Sequence, residues 1–315
     1  MVDLSVIIVS WNVRELLKHS LSSLMSADTS GGLELEIVVV DAASHDGSPD
    51  MVSEHFPGVR LIASKENLGF SRGSNLGAAA SHGRYLMLLN PDTRITGDAL
   101  RAMVRYMDAH ADVGALGPKI RYPDGRIQPS RRRFPTLGVA LLESTVLQPC
   151  FPRAKVLESY YVRDRTDDEE QDVDWVTGAC LLVRREAWEQ TGPLDEAFFM
   201  YSEELDWCRR LKALRWRVIY LPSASIVHYE AQSSTQVQTE RHIYFQSSKV
   251  LYFRKHHGTL FGEFVRLFLL ATYLHQLCLE TAKWILGHKR SLRVGRIAAY
   301  RRVLASGLRA PGRPL

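Results

Sequence analysis

An α/β fold, a mostly parallel sheet flanked by helices, is predicted by three features of the sequence. Short apolar runs alternate with segments of helical period along the first hundred or so residues. The run Tyr85-Leu86-Met87-Leu88-Leu89 is apolar without alternation, as strands buried on both faces are. Such runs also stop at polar turns that carry an acid, and ligands of open parallel sheets sit just outside the strands' carboxyl ends.

The elements follow in order. Leu4 to Ser10 reads as a buried strand ending at Trp11-Asn12, and Leu16, Leu17, Leu21 and Leu24 give Val13 to Met25 helical spacing. Leu35 to Val40 is a second strand ending at Asp41, and a polar turn holding Asp46 leads to a helix near Pro49 to His55. Val59 to Ala63 is a third strand. Asn67 to Gly77 reads as a glycine-punctuated turn entering an alanine-rich helix. The strand Tyr85 to Leu89 closes on Asn90-Pro91-Asp92-Thr93, and right-handed crossovers would link these units.

Beyond it, Asp98 to His110 reads as a helix and Val113 to Pro118 as a strand. Arg121 to Pro135 is basic and turn-rich, with Arg131-Arg132-Arg133, while Leu137 to Tyr161 has no clear period. Arg163 to Asp172 is acidic and is expected to be a mobile loop. Val173 to Val183 reads as strand, turn, strand. Phe198 to Arg210 enters a helix with acids in its first turn, where the helix dipole favours them. Arg217 to Leu221 is a further strand, and Ile226-Val227-His228 closes the ordered core. The chain is helical from Tyr244 onward.

Composition narrows the function classes. At 45% hydrophobic and 24% charged, 315 residues can bury a sizeable core. Cys150, Cys180, Cys208 and Cys278 lie far apart, which excludes a disulfide framework or zinc ribbon and fits a reducing compartment. Met1 to Ser5 runs straight into a strand, so no secretory signal is expected. From Gly287 to Leu315 there are eight Lys/Arg and no acid, so the rest of a chain of net charge +5 carries −3. A mildly acidic body argues against nucleic-acid binding, and a basic tail suits an anionic surface. Leu260 to Leu286 is apolar but broken by Glu263, Arg266, Glu280 and Lys283. Its longest uncharged piece, Leu267 to Leu279, falls short of the roughly 20 residues that span a bilayer. It reads either as a helix packed on the body or, with the basic tail, as an in-plane membrane contact.

The chemistry-bearing residues sit at element boundaries: Asp41, Asp92, Glu203-Glu204-x-Asp206 and His228. Each has a structural alternative. Asp41 and Asp46 could cap helices, the glutamates could form a solvated first turn, and His228 could be a satisfied imidazole. Convergence on one rim would suit sugar transfer from a nucleoside diphosphate. Asp41 would accept from ribose or base, Asp92 would hold a hard divalent cation against the diphosphate, and Glu204 or Asp206 would take the acceptor's proton. Arg72 and Asn75, on the glycine-rich turn, would contact the donor.

At these residues the chain resembles the family 2 glycosyltransferases of the GT-A fold, a Rossmann-like sheet, and in particular their bacterial rhamnosyltransferase-like branch. The resemblance rests on Val9-Ser10-Trp11-Asn12, Val40-Asp41 with Ser44-His45-Asp46-Gly47-Ser48, Asn67-Leu68-Gly69-Phe70, Leu89-Asn90-Pro91-Asp92 and Phe199-Met200-Tyr201-Ser202-Glu203-Glu204-Leu205-Asp206, and it runs in order from Leu4 to about Ser234. It implies inverting transfer without a covalent enzyme intermediate. It implies a nucleotide-sugar site of Ser10, Asn12, Asp41, Asp46, Asn67, Arg72, Asn75 and Asn90. It further implies an Mg²⁺ or Mn²⁺ ion on Asp92 and His228, with Glu204 as base and Asp206 in reserve. Glu204 stands where relatives carry the second acid of a Glu-Asp pair, and Ala42 where they often carry Asn. Trp175, Gly178 and Trp207 would line the acceptor side, although the tryptophans suit core packing equally.

The expectation is a catalytic domain over residues 1–235, with a nucleotide-sugar half to about 120 and an acceptor half beyond it, then a helical extension over 236–315. The function expected is transfer of a sugar, rhamnose by the branch resemblance (dTDP-rhamnose as donor), to a glycan or lipid-linked acceptor of the cell envelope. The protein would be cytoplasmic or peripheral at the inner face of the plasma membrane. The competing readings are a catalytically silent sugar-nucleotide or glycan-binding module, which the surviving carboxylates disfavour, and a nucleotidyltransferase. The latter would need a basic triphosphate loop after the first strand, where Ser10-Trp11-Asn12-Val13 supplies none.

Overall fold

In the computed structural model, which describes residues 2–28, 32–229 and 238–309, the amino-terminal alternation becomes β1 (Leu4–Ser10), α1 (Arg14–Asp28), β2 (Leu35–Ala42), α2 (Ser48–His55), β3 (Arg60–Ser64), α3 (Gly69–Ala79) and β4 (Tyr85–Leu89). There follow β5 (Thr93–Ile95), α4 (Ala99–Ala109), β6 (Val113–Arg121), β7 (Ile127–Gln128), β8 (Arg131–Arg132), α5 (Leu137–Leu142) and α6 (Lys155–Tyr160). Then come β9 (Gln171–Val173), β10 (Trp175–Val176), β11 (Cys180–Arg184), α7 (Arg185–Thr191), α8 (Glu203–Ala213) and β12 (Arg217–His228). The helices α9 (Gln238–His257), α10 (Thr259–Ile285) and α11 (Arg290–Ser306) complete the described chain. The expected boundary at 235/236 lies outside the described residues.

The sheet runs β3-β2-β1-β4-β11-β6-β12-β5, with β7 beside β6 and β9 beside β12. Strands β3, β2, β1, β4, β6 and β12 all point one way, and β11 runs against its neighbours β4 and β6. Burial on both faces explains the unbroken apolar run of β4. Leu86 and Leu88 pack into one cluster with α3, α7 and α8, while Tyr85, Met87 and Leu89 pack into the other with α1, α2 and α4. The reversal of β11 also has a local effect. Its amino end meets the carboxyl end of β4, where the Asn90 N–H donates to the Ala179 carbonyl at 3.0 Å.

Several expectations need adjusting. The glycine-punctuated turn is already helix from Gly69, and its glycines serve packing: a Cβ on Gly77 would fall 2.4 Å from Ile7, and one on Gly73 2.8 Å from Val9. The last two strands are one, β12, with an irregularity between Leu221 and Ser225. The acidic loop is laced down by Lys119 on Asp168 (2.6 Å), Arg133 on Asp164 (2.7 Å), Arg217 on Asp172 (2.9 Å) and Arg131 on Asp167. The stretch without clear period holds two short helices, α5 and α6.

The C-terminal helices are bolted to the body through Asp206. This carboxylate, fully buried on α8, accepts from Arg210 Nε at 3.0 Å, Lys255 Nζ at 3.0 Å and His256 Nε2 at 2.7 Å. Burial pushes its carboxyl up, but the bonds from His256 and Lys255 outweigh that and bring it down to about 2. Further along, Arg293 Nη1 donates to Glu280 at 2.6 Å and pins α11 to α10. No described helix is long and apolar enough to cross a membrane.

Asp206→Asn should lower unfolding free energy by about 3–5 kcal/mol, since removing one partner strands buried cations. Urea midpoints of wild type and variant check this. A carboxyl depressed in the folded state stabilises above its unfolded pKa. The gap should therefore hold at neutral pH and close between about pH 4 and about 2.

Candidate active site

Four strand ends and one helix start meet on the carboxyl rim of the sheet. Asp41 is the penultimate residue of β2 and pairs in register with Ser10, the last residue of β1. Asn90 and Asp92 follow β4, and His228 ends β12. Gly178 precedes the reversed β11 and therefore lies on the same rim. Its N–H donates to Glu204 Oε1 at 3.2 Å and draws the start of α8 to the others.

The loop before α8 is strained. Tyr201 and Ser202 adopt φ values of 72° and 67°, a left-handed pair that few side chains tolerate. Ser248 on α9 donates to the Met200 carbonyl at 2.8 Å, and Phe199 stacks on Tyr244 at 4.7 Å. On the other side α3 receives the loop: the Phe70 N–H donates to the Phe199 carbonyl at 2.9 Å, and Ser71 Oγ to the Phe198 carbonyl at 2.5 Å. Gly69, at φ +68°, makes room, because a Cβ there would lie 2.4 Å from the Phe199 oxygen. The close approach that the Asn-Leu-Gly-Phe segment permits is thus to the protein's own acidic loop.

Asp41 is 2% exposed. Its Oδ2 accepts from the Ser44 N–H at 2.9 Å, whereas its Oδ1 and the neighbouring Ser10 Oγ have no protein partner. Asn12, at φ 52°, ties the two turns together: its N–H donates to Ser44 Oγ at 2.9 Å, and its Oδ1 accepts from the His45 N–H at 2.7 Å. Asp92 and His228 are both buried, with His228 Nε2 3.1 Å from Asp92 Oδ1 and 3.4 Å from Asn90 Nδ2. The Nδ1–H of His228 donates to Gln128 Oε1 at 2.9 Å. That bond fixes the ring so that Nε2 faces the Asp92 carboxylate, as outer partners orient metal-binding imidazoles.

One carboxylate and one oriented imidazole make a donor set that fits a divalent cation whose other ligands come from a diphosphate. The nitrogen suits Mn²⁺ better than Mg²⁺. No cluster of three or more His, Cys, Asp or Glu side chains able to hold a metal occurs among the described residues.

Glu204 Oε2 is buried without a partner, as is Glu203 Oε2. Burial raises both carboxyls. Glu203 is pushed up the further, with the charge of Glu204 adding to it, while the Gly178 N–H and the Arg132 charge restrain Glu204. The adjacent acids thus differ in surroundings: Glu203 has burial and a like charge, whereas Glu204 also has a backbone donor and a cation acting on it.

Other predicted residues are turned away from the rim or committed to the fold. Asp206 is in the ion cluster described above, away from Gly178. Trp207 is fully buried, donates from Nε1 to the Gly192 carbonyl at 2.9 Å and packs on Trp188. Trp175 is buried and donates to the Arg133 carbonyl at 3.1 Å. Asn75 is a cross-tie: Nδ2 donates to the Leu194 carbonyl and Oδ1 accepts from the Leu194 N–H, each at 2.9 Å. Asp46 accepts from the Arg14 N–H at 2.7 Å and from Ser48 Oγ at 2.6 Å, the capping alternative for that residue. These bonds outweigh its partial burial and hold the carboxyl below its ordinary value. Asn67 Oδ1 accepts from the Gly69 N–H at 3.0 Å, and Arg72 pairs with Glu66 at 2.7 Å in solvent. Sequence reasoning passed over Gln128, since nothing in the spacing links it to a histidine one hundred positions away.

Comparison with known proteins agrees with this geometry. The family described as "Glycosyl transferase family 2" matches residues 5–192. The N-acetylglucosaminyl-diphospho-decaprenol L-rhamnosyltransferase of Mycobacterium tuberculosis is 33% identical over 242 residues, 73% of this chain and 77% of that protein. Rhamnosyltransferase WbbL of Escherichia coli is 23% identical over 232 residues, 71% of this chain and 82% of its own. Among solved structures, mannosyltransferase PcManGT from Pyrobaculum calidifontis, in complex with GDP-Man and Mn²⁺, gives a TM-score of 0.56 at 17% identity, over 96% of this chain and 86% of that one. At that identity the likeness attests to the fold, which is that of the GT-A glycosyltransferases.

Proposed function

The chain belongs to glycosyl transferase family 2, and from that premise we propose an inverting, metal-dependent rhamnosyltransferase of cell-envelope glycan synthesis. Its donor would be a nucleoside diphosphate sugar, dTDP-rhamnose, and its acceptor a sugar joined through diphosphate to a polyprenyl lipid. Sugar and acceptor rest on the rhamnosyltransferase relatives. One observation carries the catalytic reading: among the described residues, the buried carboxylate oxygens without a hydrogen-bond partner are those of Asp41, Glu203 and Glu204, all near one rim. Buried polar groups are ordinarily satisfied, so these oxygens suit a ligand.

In this reading Asp41 Oδ1 and Ser10 Oγ receive the nucleoside, while Asn12 holds their turn in shape. Asp92 and His228 hold the cation, which neutralises charge on the diphosphate when bound. Glu204 takes the proton of the acceptor hydroxyl as its oxygen bonds to the anomeric carbon. The carbon–oxygen bond to the diphosphate breaks from the opposite face, its electron pair leaving with the phosphate. A single displacement of this kind inverts the anomeric centre. Residues 1–120 would supply the donor half, 121–235 the acceptor half and 236–315 the lipid-facing extension.

The extension supports a membrane contact. Leu260, Leu267 and Leu274 recur every seven residues along α10 and are 89%, 58% and 54% exposed, with Phe264 (51%) on the same stripe and Ile285 (64%) at the end of the helix. Lys283, Lys289, Arg290 and Arg296 lie around the α10–α11 turn. An exposed apolar stripe along α10 with cations at its carboxyl end matches an anionic bilayer surface.

Each part of this reading has its own test. With dTDP-rhamnose and Mn²⁺ the protein should release nucleoside diphosphate and transfer rhamnose to an N-acetylglucosaminyl diphospholipid. Chelator should abolish turnover. Asp92→Ala should cut kcat on the order of 10²-fold, and Glu204→Gln roughly 10²–10⁴-fold; calorimetry should still detect donor binding to the Gln variant. The acidic limb of kcat/KM should lie above the ordinary glutamate range, since burial raises the Glu204 carboxyl among Glu203, Tyr160, Cys208 and Arg132. Activity therefore rises with pH as that group loses its proton. Vesicles containing phosphatidylglycerol should co-sediment the wild type, and Leu260→Asp/Leu267→Asp should reduce that binding severalfold while leaving the melting temperature unchanged.

A further inference from the structure

In the run Arg131-Arg132-Arg133 the outer two guanidiniums are neutralised, Arg131 by Asp167 and Arg133 by Asp164. Arg132 has no carboxylate partner among the described residues. Its Nη1 is anchored on the carbonyls of Pro129 (2.8 Å) and Arg131 (3.0 Å), which fixes the fork and leaves its charge uncancelled. Aromatic rings surround it, with Cζ 4.5 Å from the Tyr161 centroid, 5.8 Å from Tyr160 and 5.9 Å from Trp175.

Its position is set by a two-stranded ribbon. Arg132 on β8 pairs with Trp175 on β10, three residues before Gly178, whose N–H holds Glu204. The ribbon therefore carries the guanidinium on the strand pair that leads to Gly178 and Glu204, and its positive charge favours the ionised form of that acid. On the far side of Tyr161 lies Arg163, with Cζ 5.1 Å from the same ring and a loose 3.2 Å pair to Glu158 in solvent. Tyr161 and Arg163 also line a cavity of about 300 Å³, together with Thr145, Gln148 and Leu157. The segment forming it is tied to the C-terminal helices: Lys249 Nζ on α9 donates to the Glu143 carbonyl at 2.7 Å, and α5 packs on α10. The segment that lines the cavity thus joins the C-terminal helices to Tyr161, the ring on which Arg132 rests.

We infer that Arg132, assisted by Arg163, binds the diphosphate of the acceptor and makes the enzyme selective for acceptors whose reacting sugar is carried on diphosphate. This rests on the reading of Glu204 as the acceptor-side base. An anchored guanidinium offers its remaining N–H groups as a planar fork to phosphate oxygens. A bound diphosphate would give this guanidinium the charged hydrogen-bond partner that no described carboxylate supplies.

The test compares two acceptors on the full-length protein: decyl-diphospho-N-acetylglucosamine and the neutral decyl N-acetylglucosaminide. In Arg132→Gln the ratio of kcat/KM for the diphosphate acceptor over the neutral one should fall about tenfold or more, with donor KM unchanged. Arg132→Lys should recover part of that ratio. Equal losses on both acceptors would overturn the inference, as would a rise confined to donor KM, which would assign the guanidinium to the donor's diphosphate. Arg163 is half-exposed, so Arg163→Gln spares the packing and decides the matter if Arg132→Gln misfolds: a smaller fall in the same ratio supports the inference, and no change overturns it. Calorimetric titration of the diphosphate acceptor without donor separates this inference from the proposed reaction. Weaker binding to the variants upholds the site even if no rhamnose is transferred, and unchanged binding removes it even if transfer occurs.

Discussion

The carbonyl oxygen of Phe199 occupies the space that a side chain on residue 69 would need, and much of the molecule follows from that contact. It locks the loop before α8 against the first turn of α3, so a segment some 130 positions downstream joins the carboxyl rim of the sheet. The left-handed pair Tyr201-Ser202 then has one direction in which to launch α8. Strain of this kind persists only where the surroundings hold it, and here α3 grips it from one side and α9 from the other. The C-terminal helices are therefore more than a cover: without α9 the acids of α8 would lose half of their support.

The opening turns of α8 show how neighbouring acids acquire different properties. Asp206 faces the cations of α9 and its own helix, which hold its carboxyl well below the ordinary range. Glu203 is enclosed without a cation, and burial pushes its carboxyl up the furthest. Glu204 lies between these extremes, buried at one oxygen but offered the Gly178 N–H and the charge of Arg132. A proton acceptor needs that intermediate state: basic enough to take a proton, yet able to ionise near neutral pH. Helical geometry sets Glu204 apart, since positions one and two residues apart on a helix do not share a face.

The strand-end acids were legible in the sequence because two regularities act together. A strand buried on both faces announces itself as an unbroken apolar run, and parallel strands place all their carboxyl ends on one rim. Asp41, Asp92 and His228 follow from that rule. The glycines of α3 were harder to read, because a glycine that admits a ligand and a glycine that admits a neighbouring strand look alike; Gly73 and Gly77 admit β1. Trp175 and Trp207 carried no mark to separate a sugar platform from core packing, and their indole N–H groups are spent on backbone carbonyls. Gln128 came to notice only through β7, and the run Arg131-Arg132-Arg133 gave no sign of which arginine lacks an acid, because β7 and β8 are too short to have a period.

Saturation of hydrogen bonds separates residues that hold the fold from residues that face a ligand better than residue type does. Asn75 and Asp46 are polar, well placed and within motif-like stretches, yet the fold uses both ends of each side chain. Leaving a buried polar atom unpaired costs about 1–3 kcal/mol, so a chain that does so with three carboxylates near one another gives up stability that packing could have recovered. The distribution matters more than the number. Buried acids elsewhere, such as Asp206 and Glu280, are fully paired with cations. The deficit is confined to the rim where Asp41 and Glu204 stand, and Arg132 is its mirror image nearby, a cation that its neighbours do not neutralise. A site built to receive a diphosphate, a nucleoside and a hydroxyl needs both kinds of incompleteness, acids without donors and a cation without an acid, held on a frame rigid enough to keep them apart.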